Sequence, residues 1–172
     1  REFGEFYSEN PVTLPPGVTS DEIMRIYEKT IVKKIEQQIC YLDSNVLISR
    51  ISPERRSDLI AHYLQQGRLQ GFTFFSSVLA SLEVSRFLHR TNTPERTQKQ
   101  FQEHKTDALA GTELVRLNSQ MLTSASTFTF PHLGSLDSIH LGTAQAIGAS
   151  HFLTNDKQLL RACEEVGLAT SF

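Results

Sequence analysis

A strand gives way to a helix at Ile39-Cys40-Tyr41-Leu42-Asp43-Ser44-Asn45-Val46-Leu47-Ile48. Four apolar residues in a row, followed by polar ones, are typical of a short strand buried on both faces. Asp43 then stands at the carboxyl end of that strand. In an open α/β sheet functional groups collect beyond the carboxyl ends of the strands, so this acid is a candidate functional residue.

The same alternation of strand and helix patterns continues along the chain. We expect strands at 39–42, 72–75, 114–117, 151–154 and 167–170, and helices at 44–51, 53–66, 77–90, 94–110, 135–149 and 156–166. Gly67 is expected to end the helix at 53–66, and Ser135 is expected to be the N-cap of the helix at 135–149. Side chains expected to face inward from the helix at 77–90 are Val78, Leu79, Leu82, Phe87 and Leu88. The pattern predicts βαβ units and a parallel sheet covered on both faces.

Residues 1–38 have a different character. Asn10-Pro11 and Leu14-Pro15-Pro16-Gly17 interrupt any helix there. Thr19 and Glu22 then fit a capping box, and apolar residues at helical spacing predict an amphipathic helix over 20–37. This part carries five Lys or Arg and seven Asp or Glu, whereas the remainder carries twelve of each. We therefore expect an N-terminal extension at 1–38 and one α/β domain at 39–172.

Composition narrows the class of protein. Hydrophobic residues make up 39% and charged residues 21% of the 172 positions, which is ordinary for a soluble globular chain. Because no apolar run is long enough to span a bilayer and no leader pattern is seen, we expect no membrane association. The two cysteines, Cys40 and Cys163, form no zinc-ligand pattern, and their scarcity favours a cytoplasmic location.

Four acids carry the functional interpretation: Asp43, Glu83, Asp137 and Asp156. Taken singly, three of them have ordinary explanations as helix caps or as partners of a helix dipole. If the four meet at one edge of the sheet, however, their mutual repulsion requires a counter-charge. Carboxylate oxygens are the ligands that Mg²⁺ and Mn²⁺ prefer, and such a site suits phosphodiester hydrolysis.

Three segments resemble PIN-domain ribonucleases, and most of all the VapC-type toxins of bacterial toxin–antitoxin pairs. They are Tyr41 to Ile48, Leu136-Asp137-Ser138-Ile139-His140-Leu141-Gly142-Thr143-Ala144, and Phe152-Leu153-Thr154-Asn155-Asp156. The segment around Asp137 is the most specific of the three, and Glu83 is placed mainly by order and spacing. The resemblance covers residues 39–172.

The resemblance implies a three-layer α/β/α sandwich with Mg²⁺- or Mn²⁺-dependent endoribonuclease activity. Carried over residue by residue, the catalytic and metal-binding acids would be Asp43, Glu83, Asp137 and Asp156, supported by Asn45 and Thr154. The implied partners are an RNA substrate, a cognate antitoxin or antitoxin-like segment, and a second copy in a homodimer. His140 is expected to serve a structural hydrogen bond or a packing role, because a carboxylate-bound Mg²⁺ needs no imidazole.

Alternatives stay open for both parts of the chain. Residues 1–38 would be a fused antitoxin-like segment, a native extension, or partly a cloning remnant at Glu2-Phe3. The domain would otherwise be a PIN nuclease of RNA processing outside toxin–antitoxin systems, or a catalytically silent RNA-binding or regulatory module. An aspartyl-nucleophile phosphatase using Asp43 is disfavoured, because Asn45 stands where such enzymes place a second acid.

Overall fold

The computed structural model describes residues 19, 21–22, 24–25, 38–52, 56–91 and 97–171. The chain divides into two units, Arg1–Gln37 and Gln38–Phe172. In the first unit the Thr19 hydroxyl oxygen accepts from the backbone N–H of Glu22, and the Glu22 carboxylate accepts from the N–H of Thr19, both at 3.2 Å. These bonds confirm the predicted capping box. Apart from helical residues 21–22 and 24–25, the predicted helix over 20–37 lies outside the described residues, as do the predicted breakers.

Strands and helices alternate in the second unit. The strands are β1 (Gln38–Leu42), β2 (Phe72–Ser77), β3 (Glu113–Val115) and β4 (His151–Leu153). The helices are α1 (Ser44–Ser49), α2 (Arg56–Leu69), α3 (Val78–Arg90), α4 (Gln98–Leu109), α5 (Ser119–Ser126), α6 (Ser135–Ala146) and α7 (Lys157–Glu165). Among the described residues, no helix is long and apolar enough to cross a membrane.

The four strands form one parallel sheet in the order β3-β2-β1-β4. Tyr41 of β1 lies opposite Phe75 of β2 on one side and Phe152 of β4 on the other. Because all strands run the same way, their carboxyl ends share one edge. The first predicted acid, Asp43, directly follows the inner strand β1 at that edge.

Two apolar cores lie on opposite faces of the sheet. Side chains alternate across β1, so Leu42 joins one core and Tyr41 the other. The first core also contains residues of α1 to α4, namely Val46, Leu47, Leu64, Ala80, Val84, Leu88 and Ala108. The second contains residues of α6 and α7, namely Leu141, Ala144, Leu159, Ala162 and Cys163. Helices therefore cover both faces, which confirms the predicted three-layer α/β/α sandwich.

The buried face of α3 differs from the predicted one. Val78 and Leu82 are 40% and 55% exposed, so the prediction that they face inward is wrong. The buried stripe is Ala80, Val84 and Leu88, which repeat every four residues, so the prediction is confirmed for Leu88. Apolar residues in this segment recur at helical spacing along more than one face of the helix, so the sequence alone does not tell which face is buried. Tertiary packing selects the face that carries Ala80, and this residue is fully buried in the first core.

Three local boundaries also differ from expectation. Helix α2 continues through the buried Gly67 and ends before Gly71, whose φ of +91° suits a glycine. Packing thus outweighs the roughly 1 kcal/mol by which glycine disfavours a helix interior. The N-cap of α6 is Gly134 rather than Ser135, because the Asp137 carboxylate reaches back to the Gly134 N–H. The predicted last strand is a single parallel bridge between Ala169 and His151.

Helix α5 was not expected from the sequence. Its segment is rich in serine and threonine, which favour turns as much as helices. It begins at an Asn118 cap, whose side-chain oxygen accepts from the Met121 N–H at 2.9 Å. Met121 and Ala125 are its buried residues, and both contact α6 at Gly142. The missing β-carbon of Gly142 is what lets these two helices approach.

Candidate active site

Asp43 lies buried where β1 ends and α1 begins. Only 3% of its surface is exposed. It serves as the N-cap of α1, with Oδ1 accepting from the Ser44 N–H at 2.7 Å. Its own N–H donates to the Leu153 carbonyl at 3.0 Å, which ties the ends of β1 and β4 together. The predicted strand-end position of this acid is confirmed.

Thr154 is a hydrogen-bonding centre beside Asp43. Its hydroxyl donates to Asp43 Oδ2 at 2.7 Å and accepts from Asn45 Nδ2 at 3.1 Å and from the Asp156 N–H at 3.0 Å. One donor and two acceptors exhaust what a hydroxyl can do. The Asn45 side-chain oxygen in turn accepts from the Asn155 N–H at 3.0 Å. The loops after β1 and β4 are therefore held against each other through the two residues predicted to support the acids.

His140 connects the second acid to the first. Its Nε2 lies 2.8 Å from Glu83 Oε2 and 3.9 Å from Asp43 Oδ1, and its Nδ1 lies 2.8 Å from the Tyr41 hydroxyl. An ionised carboxylate only accepts, so Nε2 donates to Glu83, while the direction of the bond between Nδ1 and the Tyr41 hydroxyl depends on whether Nδ1 carries a proton. The histidine is 1% exposed. It therefore makes the structural hydrogen bonds expected of it and contacts Glu83 directly.

Asp137 and Asp156 both stand at helix starts. Asp137 Oδ2 accepts from the Gly134 N–H at 3.2 Å in the first turn of α6. Asp156 caps α7, with Oδ1 accepting from the N–H groups of Gln158 and Leu159 at 2.7 and 3.0 Å. The ordinary capping roles are thus real. In each case the second carboxylate oxygen makes no hydrogen bond to the residues that the structure describes, so only one of the two oxygens takes part in capping.

Electrostatics show that the four acids influence one another. Burial raises the pKa of Asp43, and the charge of Glu83 raises it further, against lowering by His140, Thr154 and the Ser44 N–H. Burial also raises the pKa of Asp137, and the charges of Asp156 and Glu83 raise it further, against lowering by the Gly134 N–H and by His140. The carboxylates at this edge of the sheet therefore repel one another, and neighbouring positive groups and hydrogen-bond donors offset this repulsion only in part.

The ligand atoms are of the type that a hard cation such as Mg²⁺ prefers, because all four acids supply carboxylate oxygens. The raised pKa of both Asp43 and Asp137 would be relieved by a nearby positive charge. Within the described ranges, however, no three His, Cys, Asp or Glu side chains are grouped closely enough to hold a metal ion. Glu83 is directed at His140 and Asp156 at its own helix. The acids are gathered at one edge without forming a ligand cage, and the metal site stays a prediction.

A cavity of about 370 Å³ adjoins this edge. Thr154 and Asn155 line it on the side of the acids, and Leu59 and Tyr63 of α2 line it on the other. Leu59 is 69% exposed and Tyr63 is 36% exposed. An exposed apolar surface next to an acidic edge is a plain candidate for contact with another molecule.

Two contributing residues were not singled out from the sequence. Tyr41 belongs to the predicted strand and to the first PIN-like segment, but neither pattern predicts that its hydroxyl reaches His140. Asn155 lies in the third PIN-like segment; its side-chain amide donates to Ser49 Oγ at 3.3 Å, and its backbone N–H donates to the Asn45 side-chain oxygen. Both contacts join residues about 100 positions apart. A local sequence pattern contains no signal for pairs at that separation.

Comparison with known sequences gives a consistent result. The family profile described as PIN domain matches residues 40–165. Ribonuclease VapC47 of Mycobacterium tuberculosis is 29% identical over 133 residues, which cover 76% of this chain and 94% of that protein. Ribonuclease VapC46 of the same species is 31% identical over 131 residues, which cover 75% of this chain and 93% of that protein.

Comparison with solved structures supports the same fold. VapBC2 from Rickettsia felis, bound to a DNA fragment from its promoter, matches with a TM-score of 0.61 and 15% identity over 77% of this chain and 97% of that one. A toxin–antitoxin complex from Klebsiella pneumoniae matches with a TM-score of 0.55 and 18% identity over 77% of this chain and 98% of that one. At such identities the likeness shows the fold alone.

Proposed function

Because the chain belongs to the PIN-domain family, we propose that it is a toxin-type endoribonuclease that hydrolyses RNA phosphodiester bonds with a divalent cation. The observation that carries this proposal is the geometry at the carboxyl edge of the sheet, where His140 lies 2.8 Å from Glu83 and 3.9 Å from the buried Asp43. The charges of Glu83 and Asp156 also raise the pKa of Asp137, which supports their proximity. The names of the similar ribonucleases support RNA hydrolysis as the reaction, and the four acids at the sheet edge support this edge as its site.

In this proposal the four acids hold Mg²⁺ or Mn²⁺. When bound, the cation supplies charge neutralisation at the phosphodiester and a bound water of lowered pKa. Thr154 and Asn45 keep Asp43 in place, since Thr154 donates to one of its carboxylate oxygens. Asp137 and Asp156 each have one oxygen outside their capping bonds, which is available to a ligand. The chain's own residues thus fix the acids before any substrate arrives.

The proposed partners follow from the same family. We expect RNA as substrate, a cognate antitoxin or antitoxin-like segment as inhibitor, a second copy as dimer partner, and a cytoplasmic location. The matching structures from Rickettsia felis and Klebsiella pneumoniae are toxin–antitoxin assemblies, which supports the inhibitor. The exposed side chains of Leu59 and Tyr63 beside the acidic edge offer an apolar surface for such a segment.

Cleavage of labelled RNA by the purified chain tests the proposal. We expect products in Mg²⁺ or Mn²⁺ and none in EDTA. Asp43→Asn should slow cleavage about 100-fold or more, because it removes several kcal/mol of transition-state charge stabilisation. Glu103→Gln on α4 removes an exposed acid and serves as the matched control. Cleavage that survives chelation or survives Asp43→Asn would refute the metal-dependent nuclease.

The same experiment separates the alternatives. RNA that binds without being cut would indicate a silent binding module. Cleavage by a chain that no antitoxin inhibits would indicate a nuclease of RNA processing. Because all four acids are present and the supporting bonds to Asp43 are formed, we favour an active toxin-type enzyme.

A further inference from the structure

Glu83 is held at the acidic edge by a buried chain of hydrogen bonds. We propose that His140 and Tyr41 are positioning residues that fix the Glu83 carboxylate for binding a divalent cation. This inference rests on the proposed function and assigns a role to two residues outside the four acids. It accounts for a buried histidine and a buried tyrosine hydroxyl that meet each other beside an acid.

The geometry of the chain is specific. His140 Nε2 lies 2.8 Å from Glu83 Oε2, which is a hydrogen bond, but 3.9 Å from Asp43 Oδ1, which is not. The single N–H at Nε2 is therefore committed to Glu83. On the far side of the ring, Nδ1 lies 2.8 Å from the Tyr41 hydroxyl. Phenol, imidazole and carboxylate thus form one continuous chain from the sheet interior to the acidic edge.

Glu83 needs such a restraint more than the other acids do. Asp43 and Asp156 receive backbone N–H groups from the helices they cap, and Asp137 receives one at the start of α6. Glu83 sits within α3, where the backbone N–H groups are already used, and its side chain is longer and 24% exposed. The only hydrogen bond given to its carboxylate by the described residues comes from His140.

The other end of the chain is rigid. Tyr41 is fully buried in β1 and stacks on Phe152 of β4, with ring centroids 5.0 Å apart and planes 27° apart. The Tyr41 and His140 rings meet edge to face at 5.8 Å. Rotation of the imidazole would break the bond to Glu83 or the bond to Tyr41. The sheet core thereby sets the direction of an acid that belongs to a helix on the opposite side of the site.

A positioning role differs from a purely structural one in its effect on metal binding. We would titrate the full chain with Mn²⁺ alone and follow binding by electron paramagnetic resonance, then measure RNA cleavage against Mn²⁺ concentration. Loss of an outer hydrogen-bonding partner of a metal ligand typically costs about 10- to 100-fold in affinity. We expect His140→Leu to raise the Mn²⁺ dissociation constant within that range and Tyr41→Phe to raise it about 10-fold, at the lower bound.

Two further variants isolate the bond to Glu83. The amide nitrogen of His140→Gln can reach the place of Nε2, so this variant should recover most of the Mn²⁺ affinity. In a Glu83→Gln background, Tyr41→Phe should cause no additional loss, because the residue it positions no longer binds metal. His104→Leu on α4 removes a histidine that makes no hydrogen bond or ion pair to any of the four acids in the described part of the chain, and it should leave the Mn²⁺ affinity unchanged.

Each outcome decides the inference. Wild-type Mn²⁺ affinity in both His140→Leu and Tyr41→Phe would overturn it, whatever the change in stability. If His140→Leu does not fold, Tyr41→Phe alone decides, since it removes one oxygen atom. A wild-type chain that binds no Mn²⁺ also overturns it. A wild-type chain that binds Mn²⁺ but cuts no RNA refutes the proposed function, while the binding comparison still judges the positioning role.

Discussion

Asp43 is a carboxylate in an unfavourable place. It is almost completely buried, and the charge of Glu83 acts on it through the protein. The Thr154 hydroxyl and the Ser44 N–H stabilise its ionised form, yet burial dominates and the pKa is raised. A group that destabilises the fold in its working state is typical of a functional site.

The raised pKa of Asp43 predicts how stability depends on pH in the metal-free chain. The folded state holds this proton more tightly than the unfolded state, where the pKa is about 3.9. The free energy of unfolding therefore falls as the pH rises from about 4 through the folded pKa, and the penalty is complete above it. Asp43→Asn should flatten this decline, in addition to its expected slowing of cleavage.

Urea unfolding in EDTA at a series of pH values checks this expectation. Circular dichroism is the suitable signal, because the chain has no tryptophan. Asp137→Asn should act in the same direction, since burial raises the pKa of Asp137 too. Glu164→Gln, an exposed acid on α7, should leave the slope unchanged. An Asp43→Asn profile parallel to the wild type would contradict the assignment.

Thr154 gives a second prediction at this scale. Thr154→Val keeps the shape but removes the donor to Asp43 and the acceptor for Asn45 and for the Asp156 N–H. A buried carboxylate that loses its partner costs about 1–3 kcal/mol of unfolding free energy. Thr154→Ser retains the hydroxyl and should cost less than about 1 kcal/mol. Equal losses in the two variants would show that the methyl group matters and the hydroxyl does not.

The positions of single residues were predictable where the cause is local. Asp43 follows a short apolar run, and Asp156 begins a helix after another, so their strand-end places could be derived from the sequence. The bond from His140 to Glu83 could not, because it joins α6 to α3 across 57 positions. No periodicity encodes which of two helices on different sides of a site will meet.

At the scale of elements, the contact of α5 with α6 depends on one absent side chain. A β-carbon at Gly142 would lie 3.2 Å from the Met121 carbonyl oxygen and 3.2 Å from the Ala125 backbone nitrogen. Both are backbone atoms, so neither can move without moving α5. The interface is therefore set by glycine rather than by a large apolar pair.

Gly142→Ala should destabilise the chain despite its better helix propensity. Alanine favours a helix interior by about 1 kcal/mol over glycine, whereas overpacking against the α5 backbone costs about 1–3 kcal/mol. We expect a net loss of up to about 2 kcal/mol in urea unfolding. Gln145→Ala, on the exposed side of α6, should change stability by less than about 0.5 kcal/mol. A stabilised Gly142→Ala chain would mean that α5 shifts freely.

Elements were predicted well when a long pattern defined them. The strand at β1 and the helices α3 and α6 follow clear apolar runs, whereas α5 is short and rich in serine. The predicted burial of Val78 and Leu82 on α3 was wrong, because burial depends on which face of the helix packs against the rest of the domain. The order β3-β2-β1-β4 was not predictable, because strand neighbours are chosen by three-dimensional packing.

For the whole molecule, Gln38–Phe172 contains both apolar cores and the sheet. We expect a chain of residues 38–172 to unfold in one cooperative transition and to keep chelator-sensitive RNA cleavage. The transition would be followed by circular dichroism during heating. A broad or absent transition would contradict an independent domain.

The cleavage rate of that shortened chain also tests the role of residues 1–37. A rate above that of the full chain would support a fused antitoxin-like segment. An unchanged rate would rule out inhibition and favour a native extension. The full chain and the shortened chain should be compared at equal Mg²⁺, so that metal occupancy does not confound the result.

The place of β4 in the sheet has a consequence for biosynthesis. The hydrogen bond from Thr154 to Asp43 spans 111 positions, and the backbone of Asp43 pairs with Leu153. A ribosome that has just added residue 150 carries three strands with their helices, yet neither Thr154 nor Asp156. Contacts of such long range form late in folding. The candidate site is therefore incomplete until the end of the domain has been synthesised, because Thr154 and Asp156 are the last of its residues to be added.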